Sequence, residues 1–262
     1  MHRFLIFILL ITLAVCNPVN SSAQNLDAYK KEVFIKDNDS LPYRILLPKN
    51  FDSNKRYPLI LFLHGSGERG SDNELQLTHG ADLFLKEQIR NTYEAIVVFP
   101  QCPSNWLWTN VRYGRDGYKE VNNFPSEINY NLPLNLVEGL INSLKETYKL
   151  DLNRLYAGGL SIGGMGTFEL VHRNPNLFAA AFPICGGSNP KIAEEIKNTS
   201  LWIFHGDSDN VVPSSLSINM YKALKALNTD VKLTIYPGVG HDSWTNTFAE
   251  PDLLKWLFSK SK

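Results

Sequence analysis

Cysteine is scarce in this chain: three residues, Cys16, Cys102 and Cys185, in 262. That density excludes a disulfide-stapled scaffold, and no pair has the short spacing of a zinc site. Cys102 and Cys185 follow different expected strands, so both are read as free thiols, and no metal or other cofactor is expected. Charge of one sign is missing too. Lys and Arg total 26 against 26 Asp and Glu, a formal net charge of zero. With no basic run carrying interleaved aromatics, neither nucleic acid nor an anionic membrane surface is an expected partner. The apolar stretch 4–15 is about 12 residues, short of the roughly 20 a bilayer crossing needs, so stable membrane insertion is not expected. Internal repeats and low-complexity linkers are absent from the sequence.

That apolar stretch fits a targeting segment better than a structural one. Arg3 precedes it, a polar run follows, and Ser21-Ser22-Ala23 puts small residues at the positions a signal peptidase reads. Cleavage after Ala23 would start the mature chain at Gln24. The expected organisation is therefore a signal peptide at 1–23 and one domain at 24–262, exported from a bacterial cell to the periplasm or beyond. Lipidation at Cys16 is the rival reading, with Val15 standing where such motifs carry a smaller residue.

The remaining length suits one α/β domain. Two opening strands are expected at 32–36 and 42–47. Near-continuous apolar runs follow at 58–64, 95–100, 154–160, 178–184, 201–205 and 231–236, the signature of strands buried on both faces. Between them, Leu134, Val137, Ile141, Leu144 and Tyr148 make one helical face. Tyr221, Leu224 and Leu227 make a shorter one. Leu253, Leu254, Trp256 and Leu257 suggest a closing helix with Pro251 in its first turn. Alternation of this kind predicts a mostly parallel central sheet flanked by helices. The longest irregular stretch, 101–128, has the length of a functional loop. The segment between Cys185 and Leu201 is too short for a sizeable cap domain, so the site should be open.

Chemistry concentrates after the strands. Gly159-Leu160-Ser161-Ile162-Gly163 follows an apolar run and opens an expected helix at 162–173. A turn that sharp strains the central residue, and flanking glycines relieve the crowding. Ser161 is the candidate nucleophile. A serine hydroxyl needs a base, and of the histidines only His241, after the last strand, leaves room for an acid between it and Ser161. His64, His79, His172 and His205 are read as structural. Asp209 is the candidate acid, far enough into its loop to reach His241, with Asp207 bracing that loop and Asp242 pointing elsewhere. An oxyanion hole needs two preset N–H donors. Ile162 supplies one, and the Gly-rich segment His64-Gly65-Ser66-Gly67-Glu68-Arg69-Gly70 supplies the other, at Ser66 or, second, Gly65. This segment lacks the Lys-[Ser/Thr] of a phosphate-binding loop.

Five motifs now stand in order: Leu63 to Gly70, Pro100-Gln101-Cys102-Pro103, Gly159 to Thr167, Pro183-Ile184-Cys185-Gly186-Gly187, and Gly240-His241-Asp242-Ser243-Trp244. Together they resemble a family of α/β-hydrolases labelled "predicted peptidase" or "phospholipase/carboxylesterase", similar to feruloyl esterases, acetylxylan esterases and polyhydroxybutyrate depolymerases. The resemblance implies the α/β-hydrolase fold, the roles given to Ser161, Asp209 and His241, and a small-molecule or glycan-linked ester as substrate. The long loop adds Trp106, Trp108, Tyr113, Tyr118 and Phe124, and Trp244 lies near the base. Such rings suit a sugar face or phenolic acyl group, or else pack the loop onto the body. Trp108, Trp244 and Gln101 are the candidate substrate contacts. A serine peptidase using the same residues, and a non-catalytic binding domain on this scaffold, are the alternatives.

Overall fold

The computed structural model describes residues 26–112, 124–227 and 229–262. The segment 1–23, with Cys16 and Ala23, and Gln24, Tyr113, Gly114, Gly117 and Tyr118 lie outside the described residues. All eight expected strands form: β1 (Lys30–Lys36), β2 (Asp39–Leu46), β3 (Tyr57–Leu63), β4 (Ile96–Pro100), β5 (Leu150–Leu160), β6 (Ala180–Ile184), β7 (Ser200–Gly206) and β8 (Val231–Tyr236). They make one sheet in the order β1-β2-β4-β3-β5-β6-β7-β8. β1 and β2 pair antiparallel, as do β2 and β4, and every later pairing is parallel. β1, the edge strand, carries four charged residues and is largely exposed, which blunts an otherwise open sheet edge.

Burial on both faces explains the apolar runs. All seven residues of β3 are buried. Leu59, Leu61 and Leu63 point into one core layer, while Ile60 and Phe62 point into the other. The first layer is covered by α3 (Leu132–Thr147), α4 (Ile162–Arg173) and α6 (Ser214–Ala226). The second is covered by α1 (Ala81–Leu85), α2 (Glu87–Thr92), α7 (Trp244–Phe248) and α8 (Leu253–Phe258). Between β6 and β7 the chain makes only a short turn and α5 (Ala193–Ile196), so that connection carries no cap.

Local differences from the sequence reading have physical reasons. α1, α2 and α5 are too short for a helical period to register. α6 begins well before Tyr221, because Ser214, Ser215 and Ser217 are poor helix formers that masked its first turns. Pro251 lies outside α8, whose N-cap is Asp252.

α3 is anchored by one side chain. Asn131 Oδ1 accepts from the Leu134 N–H at 3.0 Å, and its Nδ2 donates to the Leu107 carbonyl at 3.1 Å. The residue therefore caps a helix and ties down the long loop at once. Asn131→Ala is expected to lower the unfolding free energy by about 2 kcal/mol in urea titration, the upper end for a lost cap because the partly buried Leu107 carbonyl also loses its donor.

Candidate active site

Ser161 sits at the junction of β5 and α4 with φ 55° and ψ −118°. Side-chain residues avoid that backbone region, and it is held here by packing. A Cβ on Gly159 would meet the Gly163 carbonyl oxygen at 2.3 Å, and one on Gly163 would meet the Leu63 oxygen at 2.0 Å. Only glycine fits either position, which is the reason for the Gly-x-Ser-x-Gly spacing. The Ser161 N–H donates to the Ile184 carbonyl at 2.9 Å, pinning the turn to the end of β6.

His241 arrives from the loop between β8 and α7. That loop lies over the end of β7: the Ser208 N–H donates to the Val239 carbonyl at 3.0 Å, and a Cβ on Gly206 would strike the same oxygen at 2.2 Å. His241 Nε2 lies 2.9 Å from Ser161 Oγ, and Nδ1 lies 2.7 Å from Asp209 Oδ2. With Nδ1–H donating to the carboxylate, Nε2 is left to accept the serine proton.

Asp209 is 9% exposed. Burial alone would raise its carboxyl pKa. The side chains of His205 and His241 and the N–H groups of Val212 and Val211 outweigh that and hold it well below the usual carboxylate range. Its Oδ1 accepts from Val211 and Val212 at 2.8 and 2.9 Å. Asp207 turns away and accepts from the Gly238 N–H at 2.8 Å.

The sequence reading missed the part His205 plays. Fully buried, it places Nε2 3.1 Å from Asp209 Oδ2 and 2.9 Å from the Val212 carbonyl, while Nδ1 lies 2.7 Å from Ser217 Oγ. The carboxylate is thus held between two imidazoles. Its position four residues before Asp209, at the end of β7, was the available signal.

An open pocket of about 410 Å³ lies over Ser161, and Ser66, Ile162, His241 and Trp244 are among the residues lining it. Ile162 is the first residue of α4, where helix N–H groups lack partners within the helix. The Gly65–Ser66 backbone crosses beside Ser161: a Cβ on Gly65 would lie 3.8 Å from Ser161 Cβ. Trp244 meets the His241 ring edge-on at 5.5 Å.

Two expected substrate contacts are corrected. Trp108 is fully buried, edge-on to His64 at 5.3 Å and packed against Gly166. Gln101 is fully buried as well. Its Oε1 accepts from the Asn73 N–H at 2.8 Å, and its Nε2 donates to the Glu68 carbonyl at 3.2 Å and Asp72 Oδ1 at 3.0 Å. Neither presents surface to a ligand; both brace the Gly-rich loop. Phe124 is buried too and Trp106 partly so, hence these rings pack the loop onto the body.

Both described cysteines are free and buried. Burial pushes the Cys102 thiol up to about 12 and raises Cys185 further, so neither is a thiolate nucleophile. Among the described residues no group of three or more His, Cys, Asp or Glu side chains is arranged to hold a metal ion.

His64 closes the base of the Gly-rich loop. Its Nδ1–H donates to the Gly65 carbonyl at 2.6 Å, and its Nε2 accepts from the Cys102 N–H at 2.9 Å. Burial lowers its pKa from 6.5 to about 4. Between those values the unfolded chain binds a proton that the folded one refuses. The stability of the neutral form is therefore complete above pH 6.5 and lost as pH falls toward 4. The stability gap between the wild type and His64→Gln should shrink by about 3 kcal/mol from neutral pH to pH 4 in urea denaturation. A gap independent of pH would contradict this assignment.

Comparison with known proteins agrees with this architecture. The family described as phospholipase/carboxylesterase matches residues 51–252. Lysophospholipase-like protein 1 of Mus musculus is 23% identical over 210 residues, 77% of this chain and 86% of that protein. A bifunctional acetylxylan esterase/xylanase of Neocallimastix patriciarum is 24% identical over 169 residues, 64% of this chain and 21% of that protein. Among solved structures, a thermostable esterase superposes with a TM-score of 0.82 at 35% identity, covering 90% of this chain and 64% of that one. The chain thus spans about a fifth of the Neocallimastix protein and just under two thirds of the thermostable esterase. A ferulic acid esterase shares the fold at a TM-score of 0.65 and 17% identity. With a sheet of this order and a family match across most of its length, the chain belongs to the phospholipase/carboxylesterase family of α/β-hydrolases.

Proposed function

We propose that this protein is a serine carboxylesterase that works through an acyl-enzyme on Ser161. One observation carries the reading: a serine in a strained turn with a base at 2.9 Å, itself held by a buried carboxylate at 2.7 Å. Ser161 Oγ attacks the ester carbonyl as His241 Nε2 takes its proton. The N–H groups of Ile162 and Ser66, two residues that line the pocket, would meet the oxyanion that forms. Asp209 keeps Nδ1 protonated and stabilises the imidazolium. His241 then gives its proton to the leaving alkoxide, and an alcohol departs. Water enters, loses a proton to the same nitrogen, and releases the carboxylic acid and free Ser161.

For the ester itself we propose a feruloyl or acetyl group of plant polysaccharide. Support comes from Trp244 in the pocket and from relatives whose names state such activities. The corrections at Trp108 and Gln101 leave Trp244 as the aromatic platform among the described residues. Export of the chain is proposed on its leader-like residues at 1–23 alone.

Ser161→Ala and His241→Ala should each lower kcat/KM on p-nitrophenyl acetate by about three orders of magnitude or more. Turnover by Ser161→Ala at wild-type level would end this reading. Methyl ferulate measured alongside divides the acyl classes. Efficient release supports a phenolic pocket against Trp244, and turnover of the acetate alone supports a small-acyl esterase.

A further inference from the structure

One buried charge in the pocket is not used by the chemistry above. Glu68, in the Gly-rich loop two residues after Ser66, is 9% exposed and lines the same pocket as Ser161. Its Oε2 is buried with no hydrogen-bond partner among the described residues. His64 Nδ1 lies 3.9 Å from that oxygen, but its proton goes to the Gly65 carbonyl. Arg69, the next residue, donates to the carbonyls of Ser66, Ser104 and Trp106 instead. No lysine or arginine lines the pocket among the described residues. A buried carboxylate left in this state is costly, and such a group calls for an explanation.

A ligand would be met by the other oxygen of the same carboxylate, Oε1. Glu68 Oε1 lies 3.6 Å from His79 Nε2, too far for a hydrogen bond between them. A third atom can lie about 2.8 Å from both at once. A hydroxyl there would accept from His79 Nε2–H and donate to the carboxylate; an ammonium would donate to both groups. His79, with its side chain 32% exposed, also meets the Trp244 ring at 5.1 Å, so the gap lies beside the aromatic wall of the pocket.

We propose that Glu68 and His79 form a subsite, beside Ser161, for a hydrogen-bond donor on the substrate, a hydroxyl or an ammonium group. The subsite rests on the esterase reading and deepens it. It selects esters that carry a donor near the scissile bond over plain alkyl esters, and the carboxylate disfavours anionic ones. Glu68 and His79 act on specificity and take no part in proton transfer at Ser161.

The test compares three propionyl-type esters with matched reactive groups: ethyl propionate, glyceryl monopropionate and β-alanine ethyl ester. The proposal expects the wild type to favour at least one donor-bearing ester over ethyl propionate by about tenfold or more in kcat/KM, chiefly through KM. Preference for the glyceryl ester identifies a hydroxyl donor, and preference for the β-alanine ester an ammonium. Glu68→Gln and His79→Phe, each verified as folded by its thermal melt, should bring that ratio down toward one. His79 lies nearer the surface, so its variant carries the test if Glu68→Gln fails to fold. Ethyl propionate hydrolysed as well as both other esters would overturn the subsite and leave the esterase standing. A preference that survives in the folded variants would overturn it too. Failure on all three by protein that still turns over p-nitrophenyl acetate or methyl ferulate would overturn the subsite alone, whereas failure on those two esters as well would overturn the esterase reading, and the subsite with it.

Discussion

Everything at the candidate site depends on how closely the first turn of α4 approaches the ends of two strands. The Leu63 and His64 carbonyls of the β3 end would lie 2.0 and 2.5 Å from a Cβ at Gly163, and the Ile184 carbonyl of β6 would lie 2.4 Å from one at Gly164. Glycine lets α4 seat directly on the sheet. Once seated, it leaves Ser161 a single place to go, out of the turn at a positive φ with its hydroxyl above the strand ends. The backbone strain there is balanced by contacts distributed over β3, β5 and β6, and by the hydrogen bond from the Ser161 N–H to Ile184.

The loop carrying Asp209 follows the same logic one strand further out. β7 ends in His205 and Gly206, and the loop beyond bends back so that Asp209 lies against His205. The loop carrying His241, after β8, then crosses Gly206 at a distance that leaves no room for a side chain. Asp209 and His241 are therefore positioned by one piece of backbone packing before they meet through a hydrogen bond. Asp209 takes up four hydrogen bonds, two from histidines and two from the main chain, and that supply keeps a nearly buried carboxylate charged.

Much of this architecture was legible in the sequence, for identifiable reasons. Strands buried on both faces announce themselves as unbroken apolar runs, and all eight were placed within a few residues. Ser161, Asp209 and His241 each follow a strand in the sequence, and in the structure His241 lies 2.9 Å from Ser161 Oγ and 2.7 Å from Asp209 Oδ2. The substrate side was far less legible. Trp108 and Gln101 occupy a loop with no period, where an inward and an outward side chain look alike. Both turned out to be bracing rather than contact residues. Glu68 went unnoticed for the opposite reason, since a glutamate among glycines reads as solvated. Its burial, like the contact of His205 with Asp209, depends on elements far away in the chain.

In the proposed mechanism nucleophilic power is concentrated on one hydroxyl, that of Ser161. Reaction of the folded protein with a fluorophosphonate, followed by peptide mapping in a mass spectrometer, tests it most directly. A single phosphonylated residue, Ser161, is expected, with labelling abolished in His241→Ala. Labelling of a different residue, or none on the folded wild type, would contradict it.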